Sequence, residues 1–137
     1  MPVTFRTTCR VEFADTDMAG IMHFARFFSL MEEVEHEFLR SRGLSVVMKH
    51  NGRNIGWPRV SAKCDFKKPA LFEDVLDATL TVERLGSKSL TYQVAFSKSG
   101  DTVAVGSITA CCCLCEGKSI TPMEVPADIR KKILGEE

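Results

Sequence analysis

The chain has 137 residues, 45% of them apolar, which suits one domain spanning residues 1–137 with a core of its own. Its 18 basic and 18 acidic residues cancel, and this balance argues against nucleic acid or a membrane surface as a partner. No apolar run approaches the roughly 20 residues that span a bilayer, and the N-terminus lacks a signal-peptide core, so we expect a cytoplasmic protein.

The first third of the chain predicts a strand, a loop and a long helix. Residues 3–13 mostly alternate apolar and charged side chains, as in a strand with one buried face, and residues 14–20 form a loop. Residues 23–42 carry apolar side chains at i, i+3 and i+4 spacing, which predicts a helix of about 20 residues and about 30 Å. Glu35 interrupts this apolar stripe, and Gly43 follows as a C-terminal stop.

The remainder of the chain predicts mostly strands. A short second helix over residues 44–50 and a turn over residues 51–58 come first, and a helix over residues 126–134 that starts with proline comes last. The expected strands are residues 59–66, 74–85, 89–97 and 102–115, with turns at 99–101 and 116–118, and a short strand could follow the second turn. One long helix among several antiparallel strands indicates an α+β architecture in which a single sheet wraps around the helix.

Six cysteines raise the questions of disulfides and of a metal site. Four of them crowd residues 111–115, whereas small secreted proteins space their cysteines along loops, so we expect free thiols. Alternation along a strand puts Cys111, Cys113 and Cys115 on one face, an arrangement that suits tetrahedral zinc poorly. We therefore expect these cysteines to pack in the core and to bind no metal.

Residues 11–22, V-E-F-A-D-T-D-M-A-G-I-M, resemble the signature of hotdog-fold acyl-CoA thioesterases. The resemblance is closest to the 4-hydroxybenzoyl-CoA thioesterase family and its acyl-CoA relatives linked to the Tol–Pal system. It covers nearly the whole chain, because W-P-R-V, K-K-P-A-L-F-E-D-V-L, S-K-S and V-P-A-D follow in the family's order.

The resemblance implies a fold, a substrate and an assembly. The fold is the hotdog, an antiparallel sheet of five or six strands wrapped around one long central helix. The substrate is an acyl-CoA thioester, with no metal and no bound cofactor beyond the coenzyme A of the substrate itself. The assembly is a homodimer, or a homotetramer made of two hotdog dimers, with active sites at the subunit interface.

Asp17 is the candidate catalytic carboxylate. Thioester hydrolysis needs a nucleophile or an activated water, and donors for the developing oxyanion. A helix N-terminus offers free N–H groups and a partial positive charge, and Asp17 lies just upstream of one. Gly20 lets the loop bend and the ligand approach. By resemblance, Asp17 is catalytic and the backbone N–H of Phe24 is the oxyanion donor.

The residues leave two questions about this aspartate open. An acid before a helix often only caps it, so Asp15, Thr16 or Asp17 could serve as the N-cap instead. We expect Asp15 to shape the loop. For Asp17 we favour direct attack on the thioester, which gives a mixed anhydride, over activation of a water molecule.

Other candidates surround the Asp17 loop. His23 lies one position earlier than the histidine of the Tol–Pal relatives (G-V-V-Y-H), so it could line the acyl pocket, assist proton transfer or be purely structural. Apolar side chains predict an acyl pocket at Met22, Phe24, Phe27 and Phe28. By resemblance, the turn at Ser87, Lys88 and Ser89 contacts the coenzyme A phosphates, although an ordinary solvated hairpin explains it equally well.

Three alternatives compete with this interpretation. Some hotdog thioesterases carry their carboxylate on the central helix, where Glu32 and Glu35 are the candidates. The chain could instead be a binding module for acyl-CoA or acyl carrier protein that does not hydrolyse its ligand. A hydroxyacyl dehydratase is the third alternative, and it would need a histidine–acid pair that includes His23.

Overall fold

The computed structural model describes residues 2–136. The chain opens with strand β1 (Val3–Arg10), a single 3-10 turn (Phe13–Asp15) and helix α1 (Arg26–Ser41). Eight more strands and a terminal helix follow: β2 (Met48–His50), β3 (Arg53–Gly56), β4 (Arg59–Phe66), β5 (Val75–Leu85), β6 (Ser89–Lys98), β7 (Asp101–Cys111), β8 (Cys113–Glu116), β9 (Ser119–Pro122) and α2 (Ala127–Leu134). The architecture is therefore α+β, as predicted.

The strands form two antiparallel sheets, not the single sheet that we expected. The main sheet has five strands in the order β1-β5-β6-β7-β4, so that β1 and β4 are its edges. A smaller sheet has four strands in the order β2-β3-β8-β9. The chain passes between the sheets at Cys112, whose N–H donates to the carbonyl of Lys88 and whose carbonyl accepts the N–H of Met123. The predicted strand over residues 102–115 is thus interrupted at this cysteine.

The helix predicted over residues 44–50 was wrong, because residues 48–56 form the β2–β3 hairpin, and the turn predicted over residues 51–58 is confined to residues 51 and 52. Asn51 and Gly52 sit at its turn with φ of 53° and 77°, the backbone that two-residue hairpin turns require. Met48 and Ile55 pair across the hairpin and are both buried. The Asn-Gly pair was the sequence signal for this hairpin, and we assigned it to an isolated turn.

Helix α1 buries one face against the main sheet. It has 16 residues, about 24 Å, and begins at Arg26, three residues later than predicted. Its buried side chains include Phe27, Leu30, Met31, Val34 and Phe38, each worth roughly 1.5–3 kcal/mol when fully buried. Gly106 of β7 allows close packing here, since a Cβ at this position would lie 2.4 Å from the Met31 side chain.

Two smaller features complete the fold. Phe13, which we placed on the buried face of the first strand, lies instead in the 3-10 turn with 77% of its surface exposed. Helix α2 begins after Pro126 and buries Ile129 and Ile133, and its Arg130 donates hydrogen bonds to the carbonyls at the β5–β6 turn. Neither helix in residues 2–136 is long and apolar enough to cross a membrane.

Candidate active site

The loop between β1 and α1 folds into a tight turn that presents Asp17. The Asp17 N–H donates to the carbonyl of Ile21 (3.1 Å), and the Gly20 N–H donates to the carbonyl of Asp17 (3.0 Å). Gly20 has φ of +80°, a conformation that strains any residue with a Cβ. The Asp17 side chain is exposed, and its Oδ1 accepts the N–H of Ala19 at 2.9 Å. This aspartate therefore does not cap α1.

One backbone N–H is left free where the chain enters the helix. Met22 donates to the carbonyl of Ala70, and His23 to the carbonyl of Asp15, both at 2.8 Å. The Ala25 N–H donates to Nδ1 of His23, and the Arg26 N–H donates to the backbone carbonyl of His23. Between them, the Phe24 N–H donates to no acceptor in residues 2–136. It lies at the positive end of the α1 dipole, which suits a developing negative charge.

An apolar cavity of about 600 Å³ opens beside Asp17 and Phe24. Its volume is in the range of small-molecule sites. Three of its walls are aromatic: the ring centroid of Phe66 lies 5.4 Å from that of Phe27 and 6.4 Å from that of Phe24. The lining residues are Asp17, Ile21, Met22, Phe24, Phe27, Phe66, Lys67, Lys68, Pro69 and Ala70.

The cavity brings together four of the predicted site residues, namely Asp17, Met22, Phe24 and Phe27. Gly20, His23 and Phe28 do not line it. The Phe28 side chain packs against the core, and the imidazole of His23 stacks on the Phe24 ring with centroids 4.7 Å apart. Because Nδ1 of His23 accepts the Ala25 N–H, this ring shapes the helix start.

The β5–β6 turn lies at the far end of the main sheet from the cavity. Val3, at the start of β1, pairs with Val82 near the turn, whereas Arg10, which leads into the Asp17 loop, pairs with Val75. The 11 residues of β5 span about 33 Å between these ends. Ser87, Lys88 and Ser89 are therefore remote from Asp17 of the same chain.

The opposite wall of the cavity includes residues 67–69, which the family resemblance places near the ligand tunnel and which a solvated turn would explain at least as well. Phe66, Lys67, Lys68 and Ala70 follow β4, and they reach the site because the carbonyl of Ala70 binds the N–H of Met22. Lys67 and Lys68 both donate their N–H groups to the carbonyl of Val103, which fixes this wall against β7. Nothing in the local pattern of residues 66–70 predicts such a long-range pairing.

The helix glutamates do not line the apolar cavity. Glu35 is 2% exposed and forms two hydrogen bonds with the guanidinium of Arg59, one of them at 2.9 Å. Glu32 is exposed and lies 3.8 Å from the same guanidinium. Burial next to this pair raises the pKa of the Tyr92 hydroxyl well above its ordinary value. Glu35 thus serves the packing of α1 against the edge strand β4.

A second groove, of about 620 Å³, lies between α1 and β1. Charged side chains of both signs line much of it, including Arg10, Glu33, Glu37 and Arg40. An acyl group needs apolar walls, so this groove suits it less well than the cavity at Asp17. Across residues 2–136, no group of three or more His, Cys, Asp or Glu side chains has an arrangement that could hold a metal ion.

Comparisons with known proteins identify the family of the chain. The family model described as the thioesterase-like superfamily matches residues 11–133. A relative from Aquifex aeolicus (strain VF5) is 33% identical over 91% of this chain and 95% of its own length.

Two solved structures are similar over nearly the whole chain. One is a 1,4-dihydroxy-2-naphthoyl-CoA thioesterase from Synechocystis, with TM-score 0.83, 25% identity and 96% coverage of both chains. The other is a gentisyl-coenzyme A thioesterase, with TM-score 0.78, 28% identity and coverage of 94% of this chain and 99% of that one. The chain therefore belongs to the thioesterase-like superfamily: it has the hotdog fold and is a thioester hydrolase.

Proposed function

We propose that the chain is an acyl-CoA thioesterase that acts in the apolar cavity beside Asp17. The observation that carries this proposal is the convergence of three features on one cavity: the Asp17 carboxylate, the unbonded N–H of Phe24 and the aromatic walls. Together they supply a nucleophile or base, an oxyanion donor and a site for an apolar acyl group. No metal or further cofactor takes part in this scheme.

The reaction follows from these positions. The carbonyl oxygen of the thioester accepts a hydrogen bond from the Phe24 N–H, and the Asp17 carboxylate attacks the carbonyl carbon. The C–S bond then breaks, and coenzyme A leaves as a thiolate that takes up a proton from water. Water hydrolyses the resulting mixed anhydride, which releases the free acid and regenerates Asp17. Carboxylates are weak bases near neutral pH, which favours this route over activation of water by Asp17.

We propose an aromatic acyl group as the preferred substrate. Phe24, Phe27 and Phe66 present ring edges and faces to the same space, and aromatic pairs gain about 0.5–1.5 kcal/mol beyond the burial of area. The two similar thioesterases are named for naphthoyl and gentisyl thioesters, which are aromatic. Lys67 and Lys68 also line the cavity, where they would attract a negatively charged group on the ligand.

We also propose a homodimer joined through β4. Within residues 2–136, this edge strand pairs with β7 alone, and its Val60 and Phe66 are 65% and 47% exposed. The two ends of β4 have different neighbours. At its start, Arg59 pairs with Ala110, which in turn pairs with Leu90 beside the β5–β6 turn. At its end, Phe66 lines the cavity. Antiparallel pairing of two β4 strands would therefore bring the partner's turn to this cavity, where Ser87, Lys88 and Ser89 could bind the coenzyme A phosphates.

We also propose a single hotdog domain, a pairing of dimers and a cytoplasmic location. The core residues form one cluster, which supports a single domain over residues 1–137 with α1 as the central helix of the hotdog. Two dimers could pair into a homotetramer. All six cysteines are free thiols, which a reducing compartment such as the cytoplasm maintains.

The experiment is a measurement of free thiol release from a panel of acyl-CoAs, aromatic and aliphatic. We expect turnover, with the highest kcat/KM on aromatic thioesters. Binding without release of thiol would indicate an acyl-binding module instead. Loss of water from a hydroxyacyl thioester would indicate a dehydratase.

A further inference from the structure

The buried carboxylate of Asp15 ties together both ends of the Asp17 loop. The Asp15 side chain is 5% exposed. Its Oδ2 accepts the N–H of Glu12 before the loop, and its Oδ1 accepts the Nε–H of Arg26 after it, both at 2.8 Å. Nη2 of the same guanidinium also lies 2.8 Å from Oδ1, as an ion-pair contact. The backbone carbonyl of Asp15 also accepts the N–H of His23 at 2.8 Å. The hydrogen bonds to the charged Asp15 carboxylate are of a type about twice as strong as hydrogen bonds between neutral groups.

Arg26 occupies a position that is unfavourable for a cation on its own. It is the first residue of α1, where the helix dipole favours negative side chains, and the first turn contains no acid. Its side chain is 44% exposed and does not line the apolar cavity. The bonds to Asp15 offset the unfavourable dipole, so they explain why an arginine stands here.

The two groups proposed to act on the thioester lie between these anchors. Asp17 follows Asp15 by two residues, and Phe24 lies between His23 and Arg26, both of which are bound to Asp15. We infer that the Asp15–Arg26 pair is a positioning device that holds the Asp17 carboxylate and the Phe24 N–H at a fixed separation. This inference rests on the proposed function, because the separation matters only if the Asp17 carboxylate and the Phe24 N–H act on the same thioester. Arg26 acts through Asp15 and does not contact the acyl group.

Arg26→Gln tests this role, with Arg40→Gln as its matched control. Arg40 is an exposed arginine on the same helix and faces the same charged groove. A small misplacement of reacting groups can cost up to about a hundredfold in rate, so we expect Arg26→Gln to lower kcat by about ten- to a hundredfold. KM should stay within about twofold, since substrate contacts are intact. Arg26→Lys, which keeps the charge, should retain more kcat than Arg26→Gln, and Arg40→Gln should match wild type.

Amide hydrogen exchange supplies a readout that does not depend on activity. In Arg26→Gln, the amides of Asp17 and His23 should exchange about tenfold faster, while those of β6 are unchanged. Unchanged kcat and exchange would overturn the inference, as would a lower melting temperature without a change in kcat, which marks a purely structural pair. A rise in KM equal to the fall in kcat would place Arg26 on the substrate and also overturn it. If wild type hydrolyses no acyl-CoA, the proposed function fails, and the positioning role fails with it. Faster amide exchange in Arg26→Gln would then still show that the Asp15–Arg26 pair holds the loop.

Discussion

Asp17 and Glu35 are two acids that sequence patterns mark out, and the fold gives them opposite surroundings. Asp17 is exposed at a turn beside an apolar cavity, and among residues 2–136 only the N–H of Ala19 donates to its carboxylate. Glu35 is buried, and the Arg59 guanidinium takes up both of its oxygens. A carboxylate can attack a substrate only if an oxygen is available next to open space. Asp17 therefore has the access that the proposed reaction requires, whereas the pairing and burial of Glu35 mark a structural acid.

The largest effect on stability should come from removing Glu35. Glu35→Ala leaves the Arg59 guanidinium without its buried partner, so we expect the free energy of unfolding to fall by about 3–5 kcal/mol, measured by urea denaturation. Glu32→Ala is the matched control on the exposed side of the same arginine, and it should change stability by less than about 1 kcal/mol. The double variant Glu35→Leu with Arg59→Met should recover most of the loss, because it removes both charges together. Equal stability of Glu35→Ala and wild type would contradict a structural role for this pair.

A second test separates the aromatic cavity from exposed aromatic surface elsewhere. Phe66 and Phe72 are 47% and 48% exposed, but only Phe66 lines the cavity. We expect Phe66→Ala to raise KM for aromatic acyl-CoAs by about tenfold, since it removes a ring contact worth up to about 1.5 kcal/mol. Phe72→Ala should leave KM within about twofold. The proposed acyl site would be wrong if both variants behaved alike in steady-state kinetics.

Two buried thiols, Cys112 and Cys113, test whether burial suppresses ionisation in this fold. Burial raises the pKa of Cys112 and Cys113 to about 11. Each unit above the ordinary thiol pKa reduces the thiolate fraction tenfold, so alkylation by iodoacetamide at pH 7 should be at least about a hundredfold slower than in the urea-unfolded chain. Mass spectrometry of the modified peptides measures this ratio. Equal rates in the folded and unfolded chains would contradict the packing of the cysteine run.

The smallest predicted effect concerns a surface acid that has a partner. The Lys98 ammonium, 2.5 Å away, and the N–H of Leu71 lower the pKa of Asp74 below its ordinary value. A lowered folded-state pKa adds stability above the ordinary aspartate range, and this stability is lost as pH falls through the folded value. The free energies of unfolding at pH 7 and pH 3, measured by urea denaturation, should therefore differ less in Asp74→Asn than in wild type, by under about 1 kcal/mol after solvent screening. An unchanged pH dependence of stability in this variant would show that the Asp74–Lys98 pair contributes nothing to it.

The residues that could be predicted from sequence are those within one continuous segment. The loop, the glycine turn and the apolar stripe of α1 place Asp17, Met22, Phe24 and Phe27 together, because neighbouring residues alone fix their relation. The opposite wall depends on the pairing of Met22 with Ala70, 48 residues apart, and no local pattern predicts it.

The fold shows the same limit. The five main strands were predicted from alternation, and β9 matches the short strand expected after the turn at residues 116–118. Strands β2 and β3 were missed, since they have only three and four residues. For Asp15, the D-x-D spacing predicted only an acid in the loop. Its hydrogen bond with Arg26, 11 residues further along the chain, depends on the folded loop and could not be predicted from the spacing.

The role of Asp17 is decided by kcat for Asp17→Asn and Glu35→Gln on the best thioester of the panel, measured together with the unfolding free energy of each variant. We predict that Asp17→Asn loses about a thousandfold or more in kcat with a stability change under about 1 kcal/mol, because the exposed side chain keeps its acceptor for the Ala19 N–H. Glu35→Gln should keep kcat within about tenfold while it loses stability. The opposite pattern, with activity retained in Asp17→Asn and abolished in Glu35→Gln, would place the reacting carboxylate on helix α1 and contradict the account.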